Sequence, residues 1–273
     1  MRRLIPPLIG IPVGLAIAAL AAAWIGPDAA RAEQVAVIVP AHPPQHAAAL
    51  PKVGPFPPDR LRPPADATTQ ASGTGFFVGV RTVITAAHVV SECRSIRRVS
   101  QYLAPTEAVL ATIDAEHDIA VLYAAAPAPA HLAIAEHAAP PSRALVYGFP
   151  ATARRDVPDS TWATLVNDRL GDSAVLEKDP RTLLWMQNRD IAQGYSGGPI
   201  LNPATGKVLG IVRALIDPQR AAAAYGIVTP DLSIGPGTMP LRTVLAGDSP
   251  DPDDTDDIFT RARKATVHVF CWH

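Results

Sequence analysis

Short apolar runs broken by turn-forming residues fill the chain from Ala71 onward, and they restrict its fold more than any other feature. Gly73–Val78, Thr82–Ile84, Ala108–Ile113, Ile119–Tyr123, Ala144–Tyr147, Thr161–Val166, Leu183–Met186, Pro199–Leu201, Val208–Val212 and Ala224–Val228 are each rich in aliphatic or β-branched residues. Gly, Pro, Asn or Asp separates most of them. Runs this short suit strands and are too short for helices with a buried face. None is followed by a long amphipathic helix, which excludes a doubly wound α/β sheet and predicts an all-β sandwich or barrel. Two stretches look helical: the turn Ala86–Val90, and Met239–Ala246, where Pro240 suits a helix start.

The flanks follow other rules. Met1, Arg2 and Arg3 precede an uncharged apolar run, Leu4–Ile25, and then Ala30-Arg-Ala32. That order predicts a secretory signal peptide over 1–32, cleaved after Ala32. The run is also about long enough to cross a bilayer, so a retained anchor is the alternative, opposed by Pro6, Pro7 and Pro12. Residues 33–69 form a Pro-rich linker, with nine prolines between Pro40 and Pro64, and should be a stiff tether. His42 and His46 could chelate a metal only on a helix, which Pro43 and Pro44 oppose. A main domain is expected over 70–247. Residues 248–273 read as a solvated acidic linker, with six aspartates between Asp248 and Asp257, and one more strand, Ala265–Cys271. A lone strand needs a sheet, so it is expected to dock back onto the body. With 48% hydrophobic residues the chain is not wholly disordered. The 24 basic and 25 acidic residues leave a net charge of −1, which argues against a nucleic-acid partner.

Three motifs carry chemistry. Gly194-Tyr-Ser196-Gly-Gly-Pro199 sets a serine among glycines. Glycines there permit the sharp turn that exposes a nucleophilic hydroxyl and presents backbone N–H groups to a developing oxyanion. Thr85-Ala-Ala-His88 follows the strand Thr82–Ile84, placing a histidine where it could act as general base. Asp118 opens the run Ile119–Tyr123, where a partly buried carboxylate could fix the imidazole tautomer. Taken singly, His88 and Asp118 are more economically an ordinary half-buried histidine and a strand-start carboxylate. Together, in the order His, Asp, Ser, the three are poorly explained by coincidence.

These elements, with Gly73-Thr-Gly-Phe-Phe-Val78, resemble the chymotrypsin/trypsin-fold serine peptidases, and most closely their short bacterial secreted members. The resemblance spans about residues 70 to 246. It implies two packed six-stranded antiparallel β-barrels with a short C-terminal helix and an active site in the cleft between them. His88 would be the general base, Asp118 its orienter, Ser196 the acyl-forming nucleophile, and the N–H groups of Gly194 and Ser196 the oxyanion hole. It further implies an exported serine endopeptidase, secreted or periplasmic, acting on proteins or peptides without a cofactor or metal. The chain should be a monomer, with no stable membrane insertion after signal cleavage. Tyr195 stands where animal trypsins carry the aspartate that pairs with a freed N-terminus, so no activation switch of that type is expected.

For specificity, Asp190 lies six residues before Ser196, as the pocket aspartate of trypsins does, and Gly226 matches the small residue that keeps that pocket open. Both imply a preference for Arg or Lys before the scissile bond. Arg213 departs from the pattern: it could neutralise Asp190 or read an acidic substrate residue instead. It also keeps open a second reading, an inactive trypsin-fold binding protein of the cell envelope. The two cysteines, Cys93 and Cys271, could bridge in an oxidising compartment or remain free thiols. Cys271 with His268 and His273 is too sparse for a zinc site.

Overall fold

The computed structural model describes residues 70–100, 102–136, 140–151, 157–167, 179–225, 231–246, 249–252 and 255–272. The signal peptide and Pro-rich linker expected over 1–69, and Gly226, lie outside the described residues.

Six strands close the first barrel: β1 (Gln70–Phe77), β2 (Thr82–Ala86), β3 (Ser95–Ser100), β4 (Leu103–Asp114), β5 (Ile119–Ala124) and the C-terminal strand β13 (Thr266–Trp272), in the order β1-β13-β3-β4-β5-β2. The terminal strand does more than dock. It pairs β1 on one side, from Gln70↔Trp272 to Phe76↔Thr266, and β3 on the other, from His268↔Val99 to Trp272↔Ser95. Without it the barrel would keep two open edges. A disulfide joins Cys93, just before β3, to Cys271 in β13.

Alternation along the strands sorts side chains into two cores. Phe77, Val83, Leu122, Val267 and Val269 fill the barrel interior. Their neighbours Phe76, Ile84 and Ile119 face outward and pack against Leu145, Tyr147, Leu201, Val208 and Ile211 of the second sheet. Each fully buried aliphatic or aromatic side chain of this kind contributes about 1.5–3 kcal/mol, so the seam between the sheets is a core in its own right.

The second sheet holds β6 (Arg143–Gly148), β7 (Asp159–Leu165), β8 (Leu183–Gln187), β9 (Pro199–Leu201), β10 (Val208–Ile211), β11 (Ala214–Leu215) and β12 (Leu232–Pro236), in the order β10-β9-β6-β7-β8-β12-β11. It is a half-barrel whose two edge strands, β10 and β11, are adjacent in the chain. The break between them has a local cause. The Val212 N–H bonds to Gly198 O (2.9 Å) and Val212 O accepts from the Gly197 N–H (2.7 Å), so the strand leaves the ladder to grip the serine loop.

Helix α1 (Ala87–Val90) and helix α3 (Thr238–Val244) fall where the sequence predicts helical turns. Two expectations fail. Ala224 and Tyr225 belong to helix α2 (Pro218–Tyr225) and not to a strand. The four alanines 221–224 favour a helix, Pro218 suits its first turn, and Asp217 Oδ1 accepts the Gln219 N–H at 2.8 Å. The end of the acidic stretch is likewise no solvated linker, for helix α4 spans Ile258–Ala265. Asp257 caps it, accepting the Phe259 and Thr260 N–H groups, and Asp256 pairs with Lys264 at 2.7 Å. Strands β3, β11 and β12 fall outside the runs read from the sequence. Among the described residues no helix is long and apolar enough to cross a membrane.

Candidate active site

Strand register delivers the first pair. Antiparallel pairing of β2 with β5 sets Ala86 opposite Ile119, so the next residues along each path, Ala87–His88 and Asp118, meet at the barrel rim. Helix α1 begins there without a side-chain cap of its own. Its exposed first donors are taken by Asp118: the Ala87 N–H bonds to Asp118 O (3.0 Å) and the His88 N–H to Asp118 Oδ1 (2.8 Å). The other carboxylate oxygen, Oδ2, lies 2.7 Å from His88 Nδ1. A carboxylate oxygen only accepts, so the proton sits on Nδ1 and the Nε2 lone pair is left available. Asp118 holds this grip from a left-handed backbone, φ 59°, and is buried, whereas His88 is exposed.

The serine loop is fixed by contacts that only glycine allows. Gly194 has φ +101°, and a Cβ there would lie 2.2 Å from Phe149 O. Gly197 has φ +85°, and its Cβ would lie 2.2 Å from Thr74 O. Ser196 therefore sits against β1, its carbonyl accepting the Thr74 N–H at 2.8 Å. Gly197 abuts Ala86 N, two residues before His88. The peptide N–H groups of Gly194 and Ser196 have no acceptor among the described residues. Two adjacent donors left open beside a hydroxyl can receive a negative oxygen.

Ser196 Oγ makes its hydrogen bond to Arg213 O (3.4 Å) in this state, and none to His88. In unliganded sites the serine–histidine bond is often long or unformed. Arg213 also reaches the carboxylate: its Nε is 3.7 Å from Asp118 Oδ2, the oxygen that His88 uses. Arg213 thus touches Asp118 rather than capping Asp190.

Asp190 is exposed and faces elsewhere. Its Oδ2 accepts from Thr161 Oγ1 at 3.0 Å. It lines an open pocket of about 510 Å³ with Asp159, Thr161, Tyr195 and Arg263, whose walls include none of His88, Asp118 and Ser196. The Tyr195 hydroxyl is pushed up to about 12 by burial, helped by the charges of Asp159 and Asp190.

One residue of the site was not singled out from sequence. Thr74 is fully buried on β1; its hydroxyl donates to Gly194 O (2.7 Å) and accepts from the Phe149 N–H (2.9 Å). It pins the glycine loop to the second sheet. The only signal was its place in Gly73-Thr-Gly, where a β-branched residue would pass as strand filler.

A closed barrel and a half-barrel that bring a carboxylate-bound histidine and a glycine-flanked serine to their shared rim define a serine hydrolase. The profile of the trypsin-like peptidase domain matches residues 73–211, more than half of the chain. The chain belongs to that family and is a serine endopeptidase by class. Two solved structures are similar to it. The Rv3671c protease in its inactive form is 24% identical, with a TM-score of 0.49, covering 65% of this chain and 85% of that one. A serine endoprotease from Yersinia pestis is 21% identical, with a TM-score of 0.47, covering 64% of this chain and 56% of that one. No curated protein matches the chain.

Proposed function

We propose that His88, Asp118 and Ser196 are the catalytic triad of an exported endopeptidase. Ser196 Oγ turns from Arg213 O toward His88 Nε2, gives up its proton and attacks the scissile carbonyl. The tetrahedral oxyanion is received by the Gly194 and Ser196 N–H groups. His88 then hands the proton to the leaving amine, and water cleaves the acyl-enzyme by the same route in reverse. Asp118 remains a hydrogen-bond acceptor throughout and fixes the imidazole tautomer. The observation that carries the proposal is the 2.7 Å His88–Asp118 contact at the same rim as two open N–H donors.

Labelling of the full chain with a fluorophosphonate, read by intact mass, tests it. One adduct is expected, lost in Ser196→Ala; no adduct in folded protein would refute the triad. The Cys93–Cys271 disulfide supports export, since such bonds persist in oxidising compartments. The protein recovered from its host should begin at Glu33, and a chain still beginning at Met1 would refute cleavage. A preference for Arg or Lys through Asp190 has thinner support, because that carboxylate is bonded to Thr161 in a pocket apart from Ser196.

A further inference from the structure

We infer that Arg213 makes this site selective for peptides carrying an acidic side chain beside the scissile bond; the inference rests on the catalytic reading above. Three observations carry it. First, Arg213 is anchored at the nucleophile: its carbonyl accepts Ser196 Oγ at 3.4 Å, and its N–H bonds to Ile234 O at 2.8 Å. The origin of its side chain is therefore fixed next to the reacting atoms. Second, the guanidinium is only partly engaged. Nε stands 3.7 Å from Asp118 Oδ2, beyond hydrogen-bond length, and that oxygen already receives His88 Nδ1 at 2.7 Å. The two terminal nitrogens of Arg213 bond to no described residue. Third, the side chain is 38% exposed, so an incoming peptide can reach it.

An arginine fork with two open donors, held by a weak contact at its base, fits a second carboxylate in bidentate geometry. A substrate carboxylate that takes the fork also draws it away from Asp118 Oδ2, leaving that oxygen to His88 alone. The acidic substrate thus gains a partner at the cleft and relieves the His88–Asp118 pair of a competing donor. An isosteric amide offers one neutral acceptor oxygen and no bidentate pair, and a basic side chain meets a like charge.

The test is a peptide library with Glu, Gln, Asp, Asn, Lys or Arg at each of three positions on either side of the cut. Each peptide is made with free and with amidated C-termini and assayed with the full chain. Glu over Gln at one internal position is expected to raise kcat/KM about tenfold or more, the worth of one charge-assisted pair. That ratio should fall to near one in Arg213→Gln and be partly kept in Arg213→Lys. Cleavage with no acidic preference at any position would overturn the inference while leaving the triad standing. A preference that tracks only the free C-terminus would overturn it too, assigning the fork to a terminal carboxylate. Absence of both cleavage and fluorophosphonate labelling would overturn the triad, and this inference with it.

Discussion

Replacing Thr74 with valine removes one hydroxyl and keeps the shape, so its consequences can be worked from two bonds. The hydroxyl donates to Gly194 O and accepts from the Phe149 N–H, and all three residues are buried. In Thr74→Val both backbone groups lose their partner away from water. Each orphaned group costs about 1–3 kcal/mol, so the variant should be about 2–6 kcal/mol less stable by urea denaturation. Thr74→Ser keeps both bonds and loses a methyl, and should stay within about 1 kcal/mol. The effect on catalysis follows from the same geometry. The Gly194 carbonyl lies one peptide beyond the Gly194 N–H, so freeing it loosens an open donor. Removal of one oxyanion donor costs about a hundredfold or more in kcat. A loosened donor should cost about tenfold, with KM little changed because the donor acts on the transition state. Steady-state kinetics corrected by active-site titration measure this. If Thr74→Val matches Thr74→Ser in both stability and kcat, the account of Thr74 as the clamp of the serine loop is wrong.

The disulfide spans 178 residues of chain. Cys93→Ser with Cys271→Ser should lower stability by about 2–5 kcal/mol, and amide exchange should show β13 opening before β5; uniform exchange would contradict this. Tyr195 titrates in the folded state at about 12 against 10 in the unfolded chain. Its stabilising share is therefore intact below pH 10 and is lost as pH rises from 10 to 12, at about 1.4 kcal/mol per pH unit. Tyr195→Phe should flatten that slope, and a slope unchanged in the variant would refute the assignment.

The parts of the site legible in the sequence are those that local geometry dictates. The glycines around Ser196 announce left-handed backbone and close approach, and Gly194 and Gly197 have both. His88 is legible because a strand of fixed register ends just before it. Asp118 needed a pairing partner to acquire meaning: only the Ala86↔Ile119 register brings it under α1. Thr74 was opaque for the opposite reason, and Arg213 stood out as a departure from the pattern without its contact to Asp118 being legible. Their roles depend on where a hydroxyl or guanidinium points across 120 and 95 residues of sequence respectively, and no periodicity encodes that. Helix α4 was hidden by composition. Six aspartates read as solvated charge until Asp257 is seen bonding two helix N–H groups and Asp256 is seen pairing with Lys264.

The C-terminal strand joins these observations into one dependence. Thr74 lies opposite His268 in the β1–β13 ladder, and β13 in turn occupies the place between β1 and β3 that closes the barrel. The strand that carries the clamp on Gly194 is therefore held on one side by the last residues of the chain. Cys271 fixes those residues to the segment that follows α1, the helix bearing His88. Both halves of the site, the histidine helix and the serine loop, are thus braced by one terminal strand. A terminal segment is ordinarily among the first parts of a fold to fray, even when it is paired on both sides. A covalent tie on β13 therefore secures the ladder partner of β1, the strand whose Thr74 clamps the serine loop.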